Sequence, residues 1–113
     1  MTILEELNQI LKDLQIPVET GYFDSQAPDQ YSVLTPMSDD FQLFADDLPQ
    51  QDVKNVRISI FTKNNYLDLK RQLEILLLKA NFTITQRYYV EFEPETKYHH
   101  YSVDVSKNFN LEE

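Results

Sequence analysis

Apolar residues in this chain recur first at helical spacing and then in alternation. In "TILEELNQILKDL", residues 2–14, Ile3, Leu7, Ile10, Leu11 and Leu14 fall three and four apart. Thr2 with Glu5 makes a T-x-x-E capping box at the start of this predicted helix. Pro17 lacks a backbone N–H and disfavours helical geometry at Ile16, so the helix should stop before that pair. A strand or turn is predicted near 18–23, then a polar loop, "SQAPDQ", at 25–30. "YSVLTPM", 31–37, alternates like a strand with Pro36 near its end, a placement common at sheet edges. "SDD" offers turn chemistry and "FQLFA" resumes the strand pattern, so 31–45 reads as a hairpin.

The strongest strand signal is "VKNVRISIFT", 53–62, with Val56, Ile58 and Ile60 on one face and Arg57, Ser59 and Phe61 on the other. Residues 64–80 return to a helical period, with Leu69, Leu73, Leu76, Leu77 and Ala80 on a stripe broadened by Tyr66 and Leu67, and Asn64 or Asn65 as cap. This stripe spans barely two heptads, which suits a core face and not a coiled-coil seam. Two more strands, 82–92 and about 95–106, flank an "EPET" turn. The order predicts an α+β fold, a mostly antiparallel sheet of about four to six strands with two amphipathic helices packed on it. At 113 residues the expectation is one domain, 1–113, around one core.

Composition narrows the chemistry. Nineteen acidic against ten basic residues leave a net charge of −9, which opposes binding to nucleic-acid phosphates or anionic membranes. No specific nucleic acid and no membrane are expected as partners. No apolar run approaches the roughly 20 residues a membrane helix needs, and the Met1 end has no signal-peptide character. Without cysteine there is no disulfide, thiolate nucleophile or Cys-type zinc site. One glycine, Gly21, cannot build the glycine-rich loops that cradle nucleotide phosphates. No cofactor is expected.

Three stretches are candidates for a site. In "ETKYHHYSVDVSK", 95–107, a strand sends His99 to the side of Tyr101, Val103 and Val105, and His100 to that of Tyr98, Ser102 and Asp104. Adjacent histidines on opposite faces do not share a metal, and four strand residues hold His100 about 13 Å from Asp104. Ser102 and Ser106 lack the glycines of a nucleophile elbow. The acidic stretch 39–52 lacks the glycine and the spacing of a calcium loop. There Asp39, Asp40, Phe41, Leu43, Phe44, Asp46 and Asp47 set apolar residues within charge, a pattern suited to a partner-docking hairpin.

Five stretches carry a resemblance that runs nearly end to end. They are "IPVETGYF" (16–23), "YSVLTPMSDDFQLFADDLPQ" (31–50), "VRISIFTKNNYLDLKRQL" (56–73), "FTITQRYYVEFEPETKYHHYSVDVSK" (82–107) and the terminal "LEE". Together they resemble tail completion or head-tail joining proteins of long-tailed phages and prophages of Gram-positive bacteria. The resemblance implies a noncatalytic virion structural protein that acts by subunit docking, with phage connector or tail proteins and a homo-oligomeric ring as partners. It implies assembly in the bacterial host cytoplasm and residence at the head-tail interface. Acidic residues lining such a ring would repel passing DNA. A tail terminator, a phage-encoded regulatory or anti-host binding module and, last, an enzyme are the alternatives. No residue role carries over from the family.

Overall fold

The T-x-x-E signal opens the first helix as its spacing predicts. In the computed structural model, which describes residues 2–20, 28–45 and 48–110, α1 spans Ile3–Asp13. The Thr2 hydroxyl accepts from the Glu5 N–H at 3.2 Å, and the Glu5 carboxylate accepts from the Thr2 N–H at 3.3 Å. α2 spans Tyr66–Lys79, and of the two candidate asparagines Asn65 is the cap, its side-chain oxygen accepting from the Leu67 N–H at 3.0 Å.

Both helices end in the same motif without glycine. After α1 the Gln15 N–H donates to Lys12 and the Ile16 N–H to Leu11; after α2 the Asn81 N–H donates to Leu78 and the Phe82 N–H to Leu77. These are Schellman caps, and Gln15 and Asn81 take the left-handed position with φ of 61° and 67°. The residues just beyond, Ile16 and Phe82, are buried with Leu11 and Leu77 in the core. That apolar contact holds each chain reversal in place even though a side chain disfavours the left-handed conformation.

The sheet comprises β1 (Val18–Thr20), β2 (Gln30–Ala45), β3 (Leu48–Thr62), β4 (Thr83–Glu93) and β5 (Tyr98–Asn110). Its order is β1-β2-β3-β5-β4. β2, β3, β5 and β4 pair antiparallel, and β1 joins β2 parallel over Val18↔Ser32 to Thr20↔Leu34. The fold is α+β, with two helices on one face of a sheet that is antiparallel but for its short first strand.

One expectation is overturned. Residues 38–40 make no turn, and "YSVLTPM" and "FQLFA" belong to one continuous strand, β2, whose partner is β3. The hydrogen-bonding power of "SDD" goes across the sheet and not along its own backbone. The Asn55 amide donates to the Ser38 hydroxyl at 3.2 Å and to the Asp40 carboxylate at 3.1 Å, and the Lys54 ammonium meets Asp39 at 3.2 Å. Pro36, which has no N–H for the ladder, marks only a bulge between Pro36 and Ser38. β3 likewise begins before the predicted Val53, at Leu48.

The core lies between the helices and one sheet face. Leu7 and Leu11 of α1 and Leu69, Leu73 and Leu77 of α2 close over Leu34, Val56, Ile58, Ile60, Tyr101, Val103 and Val105. Lys107 on β5 ties the layers together. Its ammonium donates to Glu6 of α1 and to the Ala80 carbonyl that ends α2, both at 3.0 Å, and sits 4.5 Å from the Phe82 ring centre. The helices, about 16 and 21 Å long at 1.5 Å per residue, are much shorter than β2, about 53 Å at 3.3 Å per residue. The far half of the β2–β3 pair therefore runs past the helix layer, in a molecule 55 Å long and 25 by 23 Å across.

Two stability changes are expected. Ile58→Ala, at the centre of the core, should lower the unfolding free energy in urea by about 2–5 kcal/mol. Gln15→Gly relieves the left-handed backbone and should raise stability by about 0.5–1 kcal/mol, the strain removed less the extra chain entropy of glycine.

Candidate assembly surfaces

The acidic segment singled out in the sequence lies along the free part of β2. Asp39 and Asp40 are exposed there, and Phe41 is 57% exposed. Lys54 holds Asp39 on one side of the strand and, at 3.0 Å, Asp52 on β3; Asn55 holds Asp40 on the other side. Leu43 and Phe44 lie within β2 with their side chains outside the described residues, and Asp46 and Asp47 fall wholly outside them. Beyond Leu34, where β1 ends, β2 carries no further strand on its outer side among the described residues. Met37, 49% exposed, stands on the same stretch as Phe41.

A second surface, at the opposite end of the sheet, was not read from the sequence. β4 is the other outermost strand, and most of its side chains are exposed, among them Tyr89, Val90 and Phe92. Beside it α2 exposes Leu67, Ile75 and Leu78. Glu74, within the leucine stripe of α2, is buried because Arg87 of β4 reaches across and binds its carboxylate. Leu78, Ile84, Glu74 and Arg87 line a cleft of about 270 Å³ at this edge. The available signal was the run "LEILLLK", where apolar residues spread beyond the width one core stripe needs.

The histidine pair divides between the two sheet faces, as strand alternation requires. His99 lies on the helix side, its Nδ1 3.0 Å from the Tyr89 hydroxyl, with the Tyr66 and Phe92 rings 5.3 and 5.0 Å away. His100 stacks on Phe61 at 4.1 Å on the other face, beside the Tyr31 and Tyr98 rings that pack on Phe61. Its Nε2 is buried with no hydrogen-bond partner among the described residues. Asp104 belongs to a different pair. The Arg57 Nε and Nη2 donate to its two carboxylate oxygens at 2.8 and 3.1 Å, across directly opposed positions of β3 and β5. This two-point bond to Asp104 raises the Arg57 pKa.

Chemically these groups are arranged for packing. Among the described residues no three His, Asp or Glu side chains converge on a point where a metal could sit. No helix among them is long and apolar enough to cross a membrane. The described residues thus form a small α+β domain whose two outermost stretches, β2 beyond Leu34 and β4, pair with no further described strand, one acidic and extended, one apolar with a cleft. Compared with known proteins, the chain matches no family model and no curated sequence.

Burial pushes the His100 imidazole below the ordinary histidine range, against the opposing pull of Glu93 and Glu91 and with the Arg57 charge adding to the depression. The folded chain therefore holds this proton less tightly than the unfolded chain. The contribution to stability is whole above the unfolded histidine pKa, near 6.5, and is lost as pH falls through the folded value. Urea unfolding at about pH 7.5 and pH 5.5 should show the wild type losing more stability on acidification than His100→Phe. Equal losses in the two proteins would count against this assignment.

Proposed function

We propose that this chain is a noncatalytic structural protein of a long-tailed phage, joining or completing the tail at the head-tail interface by docking between subunits. The observation that carries the reading is the long β2–β3 pair, which runs past the helix layer and exposes Asp39, Asp40 and Phe41 along a strand edge that no further described strand covers. Unpaired backbone groups on such an edge can extend a neighbour's sheet, and exposed aromatic and aliphatic side chains framed by charge suit an interface. The end-to-end resemblance of the sequence to head-tail joining and tail completion proteins supports the same reading. Connector or tail proteins are its proposed partners, and the head-tail interface its proposed location in the particle.

Electron microscopy of phage lysates with and without this coding sequence tests the role. Filled heads should accumulate beside detached tails of normal length when the chain is missing. Overlong tails would instead identify a terminator of tube growth. Intact infectious particles would discard the structural role in favour of a host-directed binding protein.

A further inference from the structure

His100 stands between two unlike neighbours on the sheet face away from the helices. On the β3 side its ring stacks on Phe61, 4.1 Å between centroids and 24° between planes. On the β4 side the residue directly opposite is Glu91, which is exposed. Among the described residues only two buried side-chain polar atoms lack a hydrogen-bond partner, the His100 Nε2 and the Glu6 Oε2. A neutral imidazole can leave that nitrogen as a bare lone pair, whereas a protonated one must place an N–H there, and a buried donor without an acceptor is costly. The stacked position therefore suits the uncharged ring and rejects the charged one.

Phe61 also holds the start of β2. Tyr31 stacks on its ring at 4.7 Å, and Tyr98 meets the Tyr31 and Phe61 rings edge-on at 5.3 and 6.3 Å. The Tyr98 hydroxyl donates to the Pro28 carbonyl, and the Lys63 N–H donates to the Asp29 carbonyl at 3.0 Å. The Lys63 ammonium, 3.4 Å from Asp29, sits 5.0 Å from the centre of the Tyr98 ring. On this face, the rings that fasten residues 28–31 are thus the ones that share Phe61 with His100.

The charges around the ring offer it a second position. Glu93 and Glu91 on β4 favour the imidazolium. Arg57 on β3 opposes it, but both Asp104 oxygens already hold that guanidinium. Lys63 is engaged by Asp29, and the Tyr31 and Tyr98 hydroxyls carry no charge near neutral pH.

We propose that His100 is an acid-operated latch on the start of β2. When neutral it stacks on Phe61 and keeps the aromatic cluster closed; when protonated it swings from Phe61 to Glu91 and loosens residues 28–31. The change is local, one side chain moving between two partners, and leaves the helix-covered core intact. The latch belongs to this face of the sheet and does not depend on the assembly role.

NMR of the intact chain between about pH 7.5 and pH 5 reads the latch directly, across the range in which a histidine charges. As the His100 ring titrates, its NOEs to Phe61 should vanish, and those among the Tyr31, Phe61 and Tyr98 rings should be lost with the same midpoint. The Ile58 and Val103 amide shifts should hold. His100→Phe keeps His99, so its cluster should stay closed over the whole range although one histidine still titrates. Glu91→Gln, at an exposed position, should move the His100 midpoint to lower pH and the opening with it. Cluster NOEs that outlast full titration of His100 would overturn the proposal, as would an opening in His100→Phe equal to that of the wild type. So would a midpoint unmoved by Glu91→Gln, core amide shifts that change together with the cluster, or a His100 ring that stays neutral throughout.

Discussion

One face of the central β3–β5 pair must be taken out of water, and only two helices, of 11 and 14 residues, are present among the described residues to do it. Val56, Ile58 and Ile60 on β3 lie level with Val105, Val103 and Tyr101 on β5, an apolar panel six residues in extent. Burying such side chains contributes roughly 1.5–3 kcal/mol each, which makes this panel the main source of stability. Everything else is arranged around its cover. The capping box and Asn65 start the helices in register with the panel, and the two Schellman reversals drop Ile16 and Phe82 back into the core. Lys107 then locks both helices to β5 through Glu6 and the Ala80 carbonyl.

The same constraint leaves the rest of the sheet uncovered. Short helices cannot roof long strands, and among the described residues no further strand pairs with the far half of β2 or the outer side of β4. On the face away from the helices the polar residues find partners in each other, Arg57 with Asp104, while Tyr31, Phe61, Tyr98 and His100 cluster at one end. On that face the buried His100 Nε2 stays without a hydrogen-bond partner among the described residues. At the edges, backbone groups on an outermost strand point outward whatever its side chains do.

Local signals in the chain were sufficient for the helices, for the alternation of β3 and β5, and for the α+β class, because those depend on spacing of 3.6 or 2 residues within short windows. They were also sufficient to separate His99 from His100, since neighbouring strand residues point to opposite faces in any register. Asp39, Asp40 and Phe41 were recognisable as surface residues from charge alternating with an aromatic. The structure alone decided that "SDD" continues a strand, because Asn55 and Lys54, some fifteen residues away, compete with the local turn and prevail. It alone joined Arg57 to Asp104 and Glu74 to Arg87, pairs that depend on strand register and on how a helix lies over its sheet. The strand order that puts β2 and β4 at opposite ends, and so makes two unlike edges, is likewise a property of long-range pairing, which no local period encodes.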